Sequence, residues 1–191
     1  MCLEARKVGR VTSPHGQSQY QVRFDWGLEG ARAVAADVDV VVLVDVLSPA
    51  TAPVIPDLRA VVIAGDLRNR TAVAEWVLAR QAEKADRFTV AVIAAGEARE
   101  DGSIRFAVED QLGAGAIVDA LAVVGIDYCS PEAAAACAAF TSLRSAVGHL
   151  VSASASGKEL IERGFVHETE RAAEVDESTA VPVLKEYSFR P

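Results

Sequence analysis

Acidic side chains recur at the points where apolar runs of this sequence end. Asp45, Asp66 and Glu97 each follow such a run, and Glu109 and Asp110 stand side by side at the front of another. Crowded carboxylates repel one another and raise one another's pKa values unless a cation holds them. Mg²⁺ prefers oxygen ligands and also accepts the phosphate oxygens of a substrate. The acids therefore indicate either a Mg²⁺ site for phosphate chemistry or polar loop residues that face water.

Polar and basic residues near two predicted helix starts are candidates for binding an anionic group. Arg68 and Asn69 follow Asp66 at a strand-to-helix turn, where Asn69 can cap the helix and Arg68 can bind an anion. Lys158 lies in a segment that has the pattern of a capping box, with Ser156 as the N-cap residue. An anion held by the backbone amides of that segment and by Lys158 is the other interpretation.

Two glycines, Gly113 and Gly115, interrupt the helix that Glu109 and Asp110 open. They favour either close packing of the helix on a strand or clearance for a phosphate or substrate at the backbone. Acids at a helix N-terminus also fit the helix dipole without any ligand. The sequence contains neither GxxxxGK[ST] nor GxGxxG, so nucleotide binding by either of those loops has no support.

The elements that must position these residues follow from the apolar pattern, which predicts a layered α/β/α domain with a largely parallel or mixed central sheet. The predicted strands are 20–24, 38–47, 59–65, 87–96 and 181–189. The predicted helices are 28–36, 71–85, the stretch from 106 to Gly125, 130–147, 156–165 and 167–178. Prolines make 48–57 a loop. Because ligands bind at the carboxyl ends of the strands in open α/β sheets, the acids that follow the strands are expected to gather at one edge.

Composition and charge limit the class of protein. The 191 residues carry a formal net charge of −8 and contain no basic stripe with interleaved aromatic residues, so nucleic acid is not an expected partner. Three cysteines without CxxC spacing favour free thiols in a reducing compartment. The N-terminus has no apolar signal core, and no apolar run reaches the about 20 residues of a membrane span. We expect a single cytoplasmic domain over 1–191, with 1–19 as a flexible arm.

Several segments together resemble the 2-phosphosulfolactate phosphatases, or ComB-like proteins. The strongest resemblance lies in 102–116. A glycine there is followed first by phenylalanine-x-x-glutamate-aspartate and then by a glycine between small residues. The resembling segments are VVLVDVL (41–47), GDLRNRTAVAEW (65–76), VAVIAAGE (90–97), DGSIRFAVEDQLGAGAIVDAL (101–121), SASGKELIERGF (154–165) and AAEVDESTAVPVL (172–184).

The resemblance implies an α/β layered fold and a Mg²⁺-dependent phosphoric monoester hydrolase that cleaves 2-phosphosulfolactate, a step toward coenzyme M. It places Asp45, Glu109 and Asp110 on the acidic motif positions of the family and Glu97 on the loop before the last two. These four acids are the predicted metal ligands, and Asp45 and Asp110 are also the predicted catalytic residues. The predicted substrate-binding residues are Arg68, Asn69, Gly113 and Lys158.

The sequence departs from the family pattern after the first acidic motif. Ser48-Pro49-Ala50-Thr51 stands where the family has an arginine and a run of threonines, and the family's central segment is missing between LSPATAPVIPD and RAVVIAG. Two alternatives to a phosphatase therefore stay open. In the first, the chain is a degenerate family member that binds a small anion or a protein partner. In the second, it is a structural subunit of a homo-oligomer that is joined through the alanine-rich helix 131–140.

Overall fold

The computed structural model describes residues 13–48, 59–185 and 188–190. The strands are β1 (Val22–Trp26), β2 (Val40–Val44), β3 (Val61–Gly65), β4 (Val90–Ala94), β5 (Glu97–Ala98), β6 (Ile104–Arg105), β7 (Val183–Lys185) and β8 (Ser188–Arg190). The α-helices are α1 (Gly27–Val34), α2 (Arg70–Lys84), α3 (Val108–Val123), α4 (Pro131–Leu143), α5 (Val147–Ala153), α6 (Ala155–Glu162) and α7 (Val166–Ala172). Short 3-10 turns lie at Pro14–Gly16 and Arg144–Ala146.

Six strands form one mixed sheet in the order β1-β4-β2-β3-β7-β8. The first four are parallel to one another, while β7 is antiparallel to β3 and β8 is antiparallel to β7. Every residue of β2 and β4 is buried, which explains why these strands consist of continuous valine, leucine, isoleucine and alanine rather than of alternating polar residues. The mixed sheet confirms the predicted class, although β2 and β4 are shorter than predicted.

Helices cover both faces of the sheet, as the prediction of a layered α/β/α domain requires. On one face, α1 packs against alternate residues of β2 and β4, including Val41 and Ile93. On the other face, α2 and α3 pack against the intervening residues, including Val42 and Val92. The helix α4 then lies against α3 in the same core. The alternation along each strand therefore divides the apolar side chains into two cores.

The two glycines of α3 permit close packing. A Cβ atom added at Gly115 would lie 2.1 Å from the carbonyl oxygen of Ala136 in α4. A Cβ atom added at Gly113 would lie 2.9 Å from Val44 and 2.8 Å from Val46, at and just beyond the end of β2. These contacts explain both glycines by close packing, because at each position a neighbouring segment approaches so closely that no side chain would fit.

The local helix signals are partly confirmed. The Ser130 hydroxyl caps α4 by accepting a hydrogen bond from the Ala133 amide at 3.1 Å. The prediction of Ser156 as the next N-cap is wrong by two residues, because the Ser154 hydroxyl accepts the hydrogen bond from the Gly157 amide at 3.0 Å. A serine at either position satisfies the local rule, so only the course of the chain after α5 selects between them.

The structure tests the predicted loops and the predicted N-terminal arm only in part. The predicted loop after β4 contains the short antiparallel pair β5–β6. Most of the predicted loop 48–57 lies outside the described residues, as does the first part of the predicted arm over 1–19. Within that arm, the side chain of Gln17 is buried and bonded to both the amide and the carbonyl group of Phe24.

The helical stretch Pro131–Ala153 meets the length and composition of a membrane span, with 23 residues and a mean hydropathy of 1.2 in its best window. This corrects the expectation that no apolar stretch is long enough. The core helix of a soluble protein satisfies the same criterion but is mostly buried, whereas 22% of this window is buried. Here the stretch is divided by the 3-10 turn Arg144–Ala146, and its side chains Ala133, Ala136 and Phe140 belong to the core that includes α3.

Replacing Gly115 with alanine is expected to lower the free energy of unfolding by about 2–3 kcal/mol, since the added methyl group forces α3 away from α4. Gly148 in α5 is the matched control, because a Cβ atom there meets nothing within 4 Å. Gly148→Ala should leave stability unchanged or raise it by up to about 1 kcal/mol through helix propensity. Urea unfolding of both variants tests the packing argument, and equal stabilities would contradict it.

Candidate functional site

A cleft of about 140 Å³ opens at the carboxyl ends of the neighbouring strands β2 and β4. Four segments form it: the two loops that follow these strands, the start of α3, and one side of α6. Its lining residues are Asp45, Leu47, Ser48, Gly96, Glu97, Ala107, Glu109, Asp110, Ser156, Glu159, Leu160 and Arg163. The structure thus brings together all four acids that the sequence predicts as metal ligands.

Asp110 is the most constrained acid of the cleft. Its side chain is 3% exposed, and one carboxylate oxygen accepts a hydrogen bond from the Val46 amide at 2.9 Å. The other oxygen accepts one from the Gly96 amide, also at 2.9 Å. The two amides belong to the loops after β2 and β4, so a single carboxylate joins the start of α3 to both strand ends. Hydrogen bonds to a charged group contribute roughly 1.5–3 kcal/mol each.

Burial and neighbouring charge change the acidity of the cleft. Burial raises the pKa of Asp110 to about 7, and the charges of Asp45 and Glu109 act in the same direction, while the two amide hydrogen bonds oppose the rise. Burial also raises the pKa of Asp45, and the nearby charge of Glu109 adds to this effect. Mutual repulsion among these acids is the condition that a bound cation would relieve.

Glu109 lies in the cleft without a hydrogen-bond donor among the described residues, although it is 3% exposed. Buried carboxylates are ordinarily bonded to donors, ordered water or an ion. Glu97 is less buried and lies 3.4 Å from Arg105 in the β5–β6 pair. Among the described residues, Arg68 Nε is the only buried side-chain N or O atom without a hydrogen-bond partner, so the Glu109 oxygens are not in that class and are open to the cleft, where they can bind water or an ion.

The chemistry of these donors fits a hard cation only in part. The described residues include no group of three histidine, cysteine, aspartate or glutamate side chains close enough to hold one ion. Mg²⁺ commonly uses one or two carboxylates and keeps several water molecules, which suits separated acids around an open cleft. Asp45 and Glu109 have the freer carboxylates, since both oxygens of Asp110 already accept amide hydrogen bonds.

One face of α6 forms the wall opposite the acids. Its cleft-lining residues Ser156, Glu159 and Leu160, together with its C-cap residue Arg163, have the i, i+3, i+4, i+7 spacing of a single helix face. Arg163 is a cleft residue that the sequence analysis missed, and its helical spacing from Ser156 was the available signal. Lys158, the predicted basic residue of this segment, is exposed and does not line the cleft.

The other predicted substrate-binding residues lie elsewhere. Both side-chain groups of Asn69 are used inside the protein: its oxygen accepts from the Asp66 amide, and its amide group donates to the carbonyl oxygens of Ala64 and Ala180. It makes no side-chain cap of α2. Gly113 packs against strand residues, and Arg68 lies in a neighbouring cleft.

A second feature that the sequence analysis missed is the buried ion-pair network of Arg70. Its guanidinium group lies 2.6 Å from Asp119 of α3 and 2.9 Å from Asp176, which follows α7. The Asp176 amide also donates to the carbonyl oxygen of Leu67. The network fastens the segment after α7 to the turn between β3 and α2.

The fold and the site define an α/β layered protein with an acidic cleft at the carboxyl ends of its parallel strands. A protein-family model described as 2-phosphosulpholactate phosphatase matches residues 50–187, more than two thirds of the chain. The protein therefore belongs to this family, as the resemblance predicted. The match includes Glu97, Glu109, Asp110 and Arg163, whereas Asp45 precedes it. The comparison with curated proteins finds no match, and the missing central segment stays a prediction.

The raised pKa of Asp110 predicts a pH-dependent stability in metal-free buffer with a chelator. The folded protein holds this proton up to about pH 7, whereas the unfolded chain releases it near its ordinary value of 3.8. The contribution of Asp110 to the free energy of unfolding is therefore largest at low pH and falls as pH rises from about 4 to 7, by at most about 1.4 kcal/mol per pH unit. Asp110→Asn should remove this dependence.

The substitution also lowers the free energy of unfolding by about 1–3 kcal/mol at every pH. The reason is that the NH2 group of asparagine, a donor, would face one of the two backbone N–H donors. The stability of Asp110→Asn relative to the original protein should therefore be lowest near pH 4.5 and improve toward pH 7.5. Urea unfolding at a series of pH values provides the measurement. Asp127→Asn, at an exposed position, is the control, and parallel pH curves for the original protein and Asp110→Asn would refute the assignment.

Proposed function

We propose that this protein is a Mg²⁺-dependent phosphatase that hydrolyses a small anionic phosphate ester, 2-phosphosulfolactate or a similar compound. The observation that carries the proposal is the group of acids that the ends of β2 and β4 and the start of α3 bring into one cleft, with Asp110 fixed by two amides and Glu109 without a hydrogen-bond donor among the described residues. Membership of the family supports the phosphatase class. The place in coenzyme M biosynthesis and the cytoplasmic location stay predictions.

In this proposal Asp45, Glu109 and Asp110 hold the cation, directly or through water, and Glu97 contributes from the edge of the cleft. Bound Mg²⁺ would supply Lewis-acid polarisation of the phosphate oxygens. Asp110 maintains the spacing of the two strand-end loops, because its hydrogen bonds leave its carboxylate little freedom. Asp45 lines the cleft and is partly exposed, so we assign it the acceptance of a proton from an attacking water molecule.

The opposite wall supplies one positive charge, that of Arg163, beside the negative charge of Glu159. An acidic cleft without a cation repels a phosphate group, so substrate binding needs the metal and a basic side chain together. Arg163 lies on the cleft-lining face of α6 and, among the residues that line this cleft, is the only arginine or lysine. Its guanidinium group can form two parallel hydrogen bonds with a phosphate. We assign Arg163 the binding and orientation of the phosphoryl group.

Hydrolysis of a generic phosphate ester such as 4-nitrophenyl phosphate, measured with and without Mg²⁺, tests the acid cluster. Glu109→Gln should lower Mg²⁺-dependent kcat/KM by roughly 100-fold, since removal of a carboxylate weakens stabilisation of the charged transition state. Glu100→Gln, an exposed acid of the β5–β6 turn, should have no effect. Mg²⁺ should also raise the melting temperature of the original protein and of Glu100→Gln, and raise it less in Glu109→Gln.

Full activity of Glu109→Gln would refute the metal role of the cluster. Absence of turnover in all proteins, together with a melting temperature that neither Mg²⁺ nor phosphate changes, would refute the phosphatase. A change with phosphate but no turnover would support the alternative, a degenerate family member that binds a small anion.

Arg163 and Lys158 make a matched pair of variants on one helix. Arg163→Ala should raise KM for the phosphate ester by roughly tenfold or more, because it removes the charged partner of the phosphoryl group. Lys158→Ala should leave KM within about twofold, since its side chain lies outside the cleft. Steady-state kinetics of both variants give the comparison. The reverse pattern would restore Lys158, the residue that the sequence predicts, as the substrate-binding residue.

A further inference from the structure

One side chain of the β5–β6 pair fills the space beside two glycines at the ends of neighbouring strands. Gly27 follows β1 and Gly96 follows β4, and both have positive φ angles, of 59° and 64°, which side chains disfavour. A Cβ atom added at Gly27 would lie 2.7 Å from Cγ1 of Ile104, and one added at Gly96 would overlap Cγ2 of the same residue. The two γ carbons of Ile104 therefore lie one against each glycine.

Gly96 is the point at which this packing meets the acidic cleft. Gly96 lines the cleft, and its amide donates to one carboxylate oxygen of Asp110 at 2.9 Å. The preceding residue, Ala95, donates its amide to the carbonyl oxygen of Val44 at 2.8 Å, which ties the same loop to the end of β2. Because a hydrogen bond weakens steeply when its donor points away from the acceptor, a rotation of the Gly96 peptide would release Asp110 on one side.

The backbone of Ile104 is fixed from the other side. Ile104 pairs with Ala98 across β5 and β6, and the Arg99 guanidinium group donates to the Ile104 carbonyl oxygen at 3.0 Å. The Arg99 amide also donates to the carbonyl oxygen of Ser103 at 2.8 Å, which closes the turn between the two strands. The side chain of Ile104 therefore presses on Gly96 from a constrained backbone.

Ile104 contributes little to the apolar core. It is 36% exposed and belongs to neither of the two core clusters that cover the faces of the sheet. Leu78 of α2 is almost equally exposed, at 39%, and does not line the cleft. A partly exposed side chain gains only part of the free energy of burial. The contact between Ile104 and Gly96 therefore points to a role at the cleft rather than in the core.

We propose that Ile104 is a positioning residue of the acidic cleft, which holds the Gly96 amide on Asp110 although it does not itself line the cleft. The two loops after β2 and β4 keep their separation only while Asp110 accepts both amide hydrogen bonds. The binding of a divalent cation between these loops depends on that separation. This inference rests on the proposed phosphatase function and adds to it a residue that touches neither the cation nor the substrate.

Hydrogen exchange of backbone amides, followed by NMR in metal-free buffer, tests the positioning role without any substrate. Ile104→Ala should raise the exchange rate of the Gly96 amide by roughly tenfold or more, because a freed peptide spends more time without its hydrogen bond. Ile104→Val keeps both γ carbons, so its Gly96 rate should stay within about threefold of the original. The Val46 amide, which donates to the other oxygen of Asp110, should change by less than about threefold in both variants.

Calorimetric titration with Mg²⁺ and hydrolysis of 4-nitrophenyl phosphate test the consequence for the cleft. Ile104→Ala should weaken Mg²⁺ binding by roughly tenfold and lower kcat by a similar factor, as loss of a residue that supports a metal site does. KM at saturating Mg²⁺ should stay within about twofold, since no contact with the substrate is removed. Ile104→Val should keep both Mg²⁺ binding and kcat within about threefold of the original, and Leu78→Ala, the matched control, should leave them unchanged.

An equal rise in exchange at Gly96 and Val46, or no rise at Gly96, would overturn the inference. So would a loss of Mg²⁺ binding in Leu78→Ala as large as that in Ile104→Ala, because it would show general destabilisation. A selective rise at Gly96 with unchanged Mg²⁺ binding would overturn it as well, since the cleft would then tolerate the shift. If no protein binds Mg²⁺ or hydrolyses the ester, the phosphatase proposal fails, and the exchange rates still decide whether Ile104 positions the Gly96 amide.

Discussion

The carboxylate of Asp110 is the constraint on which the acidic cleft depends. It accepts one amide hydrogen bond from the loop after β2 and one from the loop after β4, and so joins these loops to the first turn of α3. Burial of such a group is unfavourable unless donors compensate it, and here two donors from separate strands do so. The same interaction fixes the backbone position of its neighbour Glu109, because the two residues are adjacent in the first turn of α3.

The order of strands makes this interaction possible. β4 lies between β1 and β2 in the sheet, although it follows both in the chain. The carboxyl ends of β2 and β4 are therefore neighbours, and the acid that follows each of them lies at the same edge. The cleft that results needs only one further wall, which one face of α6 provides.

Close packing and buried charge keep this arrangement in register. Gly113 lets α3 approach the end of β2 closely. This short distance allows the Val46 amide to donate its hydrogen bond to Asp110. On the other side of the same helix, Asp119 pairs with Arg70 and fixes α3 to α2. Loss of one partner from a buried pair is costly, so this network stabilises one arrangement of helices on the sheet.

The sequence by itself determined the layered α/β class, the approximate strands, and the acids that follow them, because continuous β-branched runs and strand-end carboxylates are local patterns. It also determined the cap at Ser130, which a serine followed by proline and glutamate specifies within four residues. The tertiary structure alone decided that Gly113 serves packing, that Ser154 rather than Ser156 caps α6, and that Arg163 rather than Lys158 lines the cleft. The local patterns permit more than one outcome at each of these positions, and the packing of whole elements from distant parts of the chain selects one of them.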